Sequence, residues 1–175
     1  MEQIEINKTI KLSEHYTLGE MTKTSTGMMN IPSRVSIENL KRVCGWLETL
    51  RCRYNQRYVS PSSDHPAHPG TPPNLGGEKD TEEPIIISSG YRSPEVNRKV
   101  GGSATSNHLT GCAVDIRVAG IEQALRYAVI LIDYADETRQ DYDELLIERN
   151  RSGRYWVHFA VRPMDNRRKT RFIDC

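Results

Sequence analysis

The sequence has no long apolar run and almost no net charge. No segment approaches the roughly 18–20 consecutive apolar residues that a membrane span requires. The 24 lysines and arginines nearly balance the 23 aspartates and glutamates, for a formal net charge of +1. A surface that binds nucleic acid usually shows as a basic excess, and the short basic run at residues 166–169 is interpreted as a solvated tail. We therefore expect neither a membrane protein nor a nucleic-acid-binding protein.

Paired cysteines, a secretory signal and nucleotide-binding loops are also missing. The four cysteines (Cys44, Cys52, Cys112 and Cys175) form no Cys-x-x-Cys pair. The N-terminal segment is charged and has no apolar core of the kind that a signal peptide carries. Gly101-Gly102 lacks the spacing of a dinucleotide-binding or phosphate-binding loop. We therefore expect free thiols in a reducing compartment and a cytoplasmic chain.

The periodicity that is present predicts both helices and strands. Apolar residues recur at three- and four-residue steps over residues 37–55 and 121–134, which predicts two amphipathic helices. Ser36 is the predicted cap of the first helix. The second helix is expected to bury one face that carries Ile121, Ala124/Leu125, Ala128/Val129 and Ile132. Ser93 and Pro94 predict the start of a short helix over residues 94–100, and another short helix is expected to begin near residue 18.

Short β-branched runs predict the strands. The predicted strands are residues 4–12, 84–88, 113–118, 143–149 and 155–161. Residues 150–154 would join the last two strands in a hairpin. The predicted fold is α+β, with a small, mostly antiparallel sheet and two longer helices on one face, in a single domain of residues 1–175.

Residues 60–84 interrupt this pattern. They hold most of the nine prolines and almost no apolar residues, so they bury too little to offset the entropy of ordering. We predict a long exposed loop inserted into the domain. It contains Asp64, His65 and His68, but no apolar scaffold surrounds them, and they are not interpreted as a metal site.

Residues 88–118 and a later histidine contain the candidate metal ligands. His108 and Asp115 stand seven positions apart, with Thr110-Gly111 as a plausible turn between them, and His158 lies in the apolar strand 155–161. A catalytic zinc takes three ligands from His, Asp, Glu or Cys and keeps one open position. From the residues alone, His158 also fits a hydrogen-bonded core histidine, because five histidines and 23 acids allow many such sets.

Three motifs carry a resemblance that separates these alternatives. SGYRSPEVN begins at Ser89, SNHLTGCAVD begins at Ser106, and WVH begins at Trp156. In this order they resemble the M15 family of zinc D-Ala-D-Ala carboxypeptidases and phage endolysins, whose pattern is S-x-H-x-x-G-x-A-x-D followed by W-x-H. Residues 12–20 (LSEHYTLGE) are similar to the opening of the branch found in phages and prophages. The resemblance covers most of the chain outside the proline-rich insertion.

The resemblance implies both a fold and a set of roles. The fold would be a small antiparallel sheet with flanking helices, shared with the hedgehog signalling domain. One zinc ion would be held by His108, Asp115 and His158. Ser106 would lie beside the substrate, Tyr91 would form part of the substrate-binding wall, and Arg92 would bind a substrate carboxylate or stabilise an oxyanion.

The catalytic carboxylate is less well defined by the pattern. Many relatives carry an acid three residues before the last histidine, where this chain has Tyr155. A symmetric hairpin would place Glu148 opposite Trp156 and on the same face as His158. We predict Glu148 as the general base and acid, with Asp143 as the second candidate. A glutamate paired with a neighbouring arginine is the structural alternative.

Together these features predict a zinc metallopeptidase that hydrolyses an amide bond in peptidoglycan stem peptides. The alternative is a non-catalytic zinc-containing module that binds the cell wall or forms part of a phage particle. We expect a monomer whose partner is the peptidoglycan peptide, released from the cytoplasm to act at the wall as a phage or prophage lysis enzyme. The sequence leaves open which peptide bond is cut.

Overall fold

One mixed sheet organises the residues that the computed structural model describes, 9–59 and 82–174. Its strands are β1 (Ile87–Ser89), β2 (Ala113–Arg117), β3 (Glu144–Arg149), β4 (Tyr155–Ala160) and β5 (Lys169–Asp174). The α-helices are α1 (Leu18–Met21), α2 (Arg34–Tyr54), α3 (Pro94–Lys99) and α4 (Ile121–Thr138). A π-helical turn (Asn55–Val59) extends α2, and a 3-10 turn (Asn107–Thr110) precedes β2.

The sheet order is β1-β2-β4-β3-β5. The first three pairings are antiparallel, while β5 runs parallel to β3. The α+β class is therefore confirmed. The interpretation of the C-terminal basic run as a solvated tail was wrong, because Lys169 begins β5 and the backbone N–H of Lys169 donates to Asp143 O at 3.0 Å.

Helices α2 and α4 pack on one face of the sheet and form the core with it. Residues of the two central strands that point to this face, such as Ile116 and Phe159, are fully buried. Trp46 of α2 lies 4.7 Å from the ring of Tyr134 in α4 and 5.3 Å from Phe159, measured between ring centroids. The edge-to-face contact with Tyr134 joins the two helices, and the tilted contact with Phe159 joins α2 to the sheet.

Two details of the helices differ from the sequence predictions. Helix α2 begins three residues earlier than expected, because the side chain of Ser33, rather than that of Ser36, accepts the hydrogen bond from a first-turn N–H. In α4 the predicted face is only partly the buried one: Ala124 and Ala128 are buried, whereas Leu125 and Val129 are about half exposed, at 51% and 52%. In α4 the predicted face and the observed buried face both follow a 3.6-residue repeat, and only packing against the sheet distinguishes them.

The remaining element predictions have mixed outcomes. The short helices α1 and α3 are confirmed, with Ser93 capping α3. The strand expected at 84–88 is shorter and covers Ile87–Ser89, because before Ile87 the pairing with β2 is reduced to one hydrogen bond, from the backbone N–H of Arg117 to Ile86 O at 2.9 Å. Of the strand predicted at 4–12, residues 4–8 lie outside the described residues, as do residues 60–81 of the predicted loop, and within 9–12 only Lys11 forms a bridge, to Thr17. No helix in the described ranges is long and apolar enough to cross a bilayer.

Candidate metal centre

Strand pairing brings two of the predicted ligands face to face. Asp115 in β2 lies directly opposite His158 in β4. Directly opposed residues of an antiparallel pair point to the same side of the sheet. Their neighbours Val114 and Phe159 point to the other side and are fully buried in the core. The sheet therefore has one apolar face against the helices and one face that carries Asp115 and His158.

The 3-10 turn brings His108 to the same place. Gly111 ends the turn in the left-handed region, at φ 74°, and a Cβ there would lie 2.5 Å from Ser36 O. The turn is held to the Ser-Gly-Tyr-Arg segment by a hydrogen bond from the backbone N–H of Arg92 to His108 O at 3.1 Å. This confirms the fold-back predicted at Thr110-Gly111, and it directs the His108 side chain towards β2.

The three candidate ligands meet at one point. His108 Nε2 lies 3.2 Å from Asp115 Oδ1 and 3.3 Å from His158 Nδ1, and His158 Nδ1 lies 3.0 Å from Asp115 Oδ1. Tetrahedral zinc with ligand bonds of about 2.0–2.2 Å requires ligand atoms about 3.3 Å apart. The observed separations fit one ion of that size. Among the described residues, this is the group whose geometry fits a metal site.

The outer nitrogens of the two imidazoles fix the tautomers that a metal requires. His108 Nδ1 donates to the carbonyl oxygen of Gly90 at 2.6 Å, and a carbonyl can only accept, so the Nε2 lone pair faces the cluster. His158 Nε2 faces Glu144 Oε2 at 3.6 Å, which leaves Nδ1 for the cluster. Two imidazole lone pairs and one carboxylate oxygen therefore converge, an arrangement that a cation stabilises.

Arg92 binds Oδ2, the second oxygen of the Asp115 carboxylate. Its guanidinium contacts Asp115 Oδ2 and its Nε donates to Ser89 Oγ at 2.8 Å. The structure places Arg92 beside the cluster, and its predicted role towards the substrate stays a prediction. The contact also orients Asp115 so that Oδ1 remains for the metal, which is the usual function of groups around a ligand.

Electrostatics in the cluster follow from burial and close pairing. Burial opposes the charge of Asp115, but the charges and hydrogen bonds of His108 and His158 hold the pKa of Asp115 well below its usual range. Burial also opposes the charge of His158, yet Asp115 and Glu144 raise the pKa of His158 to about 9. Without a metal the cluster therefore holds a proton between its acceptors, and a metal ion must displace that proton.

The predicted register of the hairpin is confirmed. Glu148 lies opposite Trp156, two positions along from the pair Leu146 and His158. Alternation along β3 therefore places Glu148 on the metal-facing side of the sheet. Glu148 contributes to the electrostatic field at His158. Its role as the proton carrier stays a prediction.

A second glutamate on that face was missed in the sequence. Glu144 contacts the cluster through His158, and it also accepts from Lys169 Nζ at 2.9 Å and Asn107 Nδ2 at 3.2 Å. Contact with His158, together with Lys169, holds the pKa of Glu144 well below its ordinary range despite burial. The sequence signal was the alternation Glu144, Leu146, Glu148, which places both glutamates on the face that carries His158.

The other predicted site residues lie around the cluster. Asp143 is fully buried and paired with Arg162 and Arg167, at 2.9 Å and 2.7 Å, so its contacts are those of a structural ion pair. Ser106 caps the 3-10 turn by accepting from the backbone N–H of His108 at 3.3 Å. Tyr91 is only 7% exposed and belongs to the core cluster.

The fold and the cluster together define an α+β protein with a possible mononuclear metal site of His/Asp/His type. Comparison with models of protein families shows which family the chain resembles. The sequence model of the peptidase M15 family matches residues 77–137, a stretch that includes Arg92, His108 and Asp115. The match supports the predicted resemblance to the M15 peptidases over that stretch, and with it the peptidase class. A comparison with curated proteins found no match.

Proposed function

We propose that the protein is a zinc metallopeptidase that hydrolyses an amide bond in peptidoglycan stem peptides. The observation that carries this proposal is the convergence of His108 Nε2, Asp115 Oδ1 and His158 Nδ1 within about 3.3 Å of one another. Two imidazoles and one carboxylate form a donor set that zinc prefers in catalytic sites. The family match over residues 77–137 supports the peptidase class.

Zinc bound by these three side chains would supply Lewis-acid polarisation of the scissile carbonyl and a water molecule of lowered pKa. The residues of the chain supply orientation and proton transfer. Arg92 holds Asp115 Oδ2 and presents a cationic group at the edge of the cluster. That position suits stabilisation of the negative charge that develops on the carbonyl oxygen, or recognition of a substrate carboxylate.

Glu148 is the proposed proton carrier. It shares the metal-facing side of the sheet with His158 and is 3 residues before the hairpin turn at residues 151–153. Glu144 is poorly suited to that role, since its carboxylate is bound by Lys169 and Arg167 and its pKa is lowered. A carboxylate held ionised by two cations is a weak base. We assign Glu144 instead to the orientation of His158.

Mass spectrometry of muropeptides tests the proposal. Purified peptidoglycan is digested with the protein as isolated, after chelator treatment, and after zinc is restored. We expect shortened stem peptides in the first and third digests and none in the second. Loss of a terminal residue would identify a carboxypeptidase, and cleavage within the stem or a cross-bridge would identify an endopeptidase.

The control is the zinc content of the same samples. Zinc bound without any change in the muropeptides would contradict the enzymatic proposal and favour a non-catalytic zinc-containing module that binds the wall or belongs to a phage particle. Cleavage that persists in chelator without zinc would contradict the metal dependence. The monomeric state and action at the cell wall are part of the same proposal and are tested by sedimentation and by binding to intact sacculi.

A further inference from the structure

We propose that the cavity at the hairpin end of the sheet is a subsite for a carboxylate of the peptide substrate. The carboxylate would be bound by Arg117 and Arg154 and packed against Trp156. The inference rests on the proposed function, because it names the part of the stem peptide that the protein recognises beside the metal. It assigns a binding role to residues outside the metal cluster and its immediate contacts.

The cavity has a volume of about 890 Å³ and opens where β2 ends and β4 begins. Arg117 and Trp156 line it and lie directly opposite each other in the β2–β4 pairing. They stand two positions along from the pair Asp115 and His158 and therefore point to the same face of the sheet. The cavity therefore adjoins the metal-facing surface through Arg117 and Trp156, while Gln123 and Tyr127 of α4 line its other side.

The charge of the lining favours an anion. Arg117 and Arg154 are both exposed, and neither forms an ion pair with another residue of the described ranges. The acidic residue of the lining, Glu83, already accepts a hydrogen bond from Gln123 Nε2 at 2.8 Å. Among the described residues, the cavity is thus lined by two guanidinium groups without an ionic partner and by one carboxylate that already accepts a hydrogen bond.

The side chains of the lining match a carboxylate on a peptide. A guanidinium binds a carboxylate through two parallel hydrogen bonds. The half-buried ring of Trp156 offers an apolar surface with a polar edge on which the adjoining peptide can pack. Stem peptides carry such a group, because a γ-linked D-glutamate leaves its α-carboxylate free.

The spacing relates this subsite to the bond that is cut. Two positions along a strand correspond to about 7 Å at ~3.3–3.4 Å per residue. An extended peptide covers that distance in about two residues. A carboxylate held by Arg117 would therefore place a peptide bond about two residues away beside His158 and Asp115.

Calorimetric titration with two peptides tests the subsite. The probes are L-Ala-γ-D-Glu-L-Lys-D-Ala-D-Ala and the same peptide with the α-carboxyl group of its D-Glu as a carboxamide. The protein is treated with chelator so that binding is measured without turnover. We expect the free acid to bind about tenfold more tightly than the amide, the size of one charged hydrogen-bonded contact.

The variants Arg117→Ala and Arg154→Ala are expected to reduce this preference to about twofold or less. Arg151→Ala is the matched control, because Arg151 is an exposed arginine of the same hairpin that does not line the cavity, and it should keep the preference. Circular dichroism checks that each variant is folded.

Three results would overturn the subsite: equal affinity of the wild type for the two peptides, a preference that survives in both cavity variants, or no binding of either peptide. Hydrolysis is measured separately with the zinc-loaded protein. Binding that discriminates between the peptides without hydrolysis would support the subsite and contradict the proposed function for this substrate. Hydrolysis without any difference in affinity between the two peptides would contradict the subsite and support the proposed function.

Discussion

Two glutamates of β3 share the metal-facing side of the sheet but have different surroundings. Glu144 is held by Lys169 and Arg167 and faces His158 Nε2, so its charge is fixed and directed at a ligand. Glu148 lies four residues further along β3, opposite Trp156. Two carboxylates of the same type are thereby given different expected roles, orientation for Glu144 and proton transfer for Glu148.

The variant Glu148→Gln tests the second role. The amide has a similar shape but cannot take a proton, so we expect hydrolysis of stem peptides to fall about 10²–10⁴-fold. The zinc content should stay near one ion per chain, because Glu148 is not among the three clustered ligands. Full hydrolytic activity in a variant that keeps its zinc would refute the assignment.

The variant Glu144→Gln tests the first role. Loss of the charge behind His158 should lower zinc affinity about 10–100-fold, as is usual for partners of metal-binding histidines. Competition with a chromophoric chelator measures the affinity, and Glu148→Gln, which keeps the Glu144 contact, serves as the comparison. Equal zinc affinity in the two variants would show that Glu144 does not orient His158.

At the scale of elements, the 3-10 turn positions His108 and depends on Gly111. Gly111 has a φ of +74°, and a Cβ would meet Ser36 O at 2.5 Å. Gly111→Ala should therefore lower the free energy of unfolding by about 2–4 kcal/mol, the sum of backbone strain and displacement of helix α2. Urea unfolding measures the loss.

Gly153→Ala is the matched control. Gly153 also has a positive φ, +78°, but no other atom lies near the position of its Cβ. Backbone strain alone should cost about 1–2 kcal/mol there. An equal loss in the two variants would mean that the close approach to Ser36 contributes nothing.

The sequence predicted the elements that carry their own local signal. The turn at Gly111 and the strands that hold Asp115 and His158 follow from turn chemistry and β-branched runs, and the hairpin symmetry predicted that Glu148 faces Trp156. Glu144 was missed because its role depends on neighbours from β5. That strand was itself missed, since its first residues are basic and read as a solvated tail. Its pairing with β3 is visible only in the folded sheet.

At the scale of the whole molecule, Asp143 stabilises the attachment of the C-terminal strand β5 to the rest of the sheet. It is fully buried and is bound by Arg162 and Arg167. Burial alone would raise the pKa of Asp143, but hydrogen bonds from Arg167 and Asn107 lower it below its ordinary value. A pKa lower in the folded than in the unfolded state stabilises the fold above the unfolded pKa, about 3.9, and that stabilisation is lost as the pH falls through the folded pKa.

Asp143→Asn should therefore reduce the free energy of unfolding by about 2–4 kcal/mol at pH 7 and flatten its decline below about pH 4. Urea unfolding of the chelator-treated protein between pH 3 and 7 measures both effects. Asp174→Asn, which breaks an exposed pair with Arg149, should change stability by less than about 1 kcal/mol. A parallel pH profile for wild type and Asp143→Asn would contradict the anchoring role.

Anomalous diffraction at the zinc absorption edge tests the metal centre most directly. In crystals of the protein purified without chelator, we expect one peak per chain. It should lie about 2.0–2.2 Å from His108 Nε2, Asp115 Oδ1 and His158 Nδ1. No peak at these three atoms, or an ion bound by other residues, would contradict the proposed zinc site and the mechanism built on it.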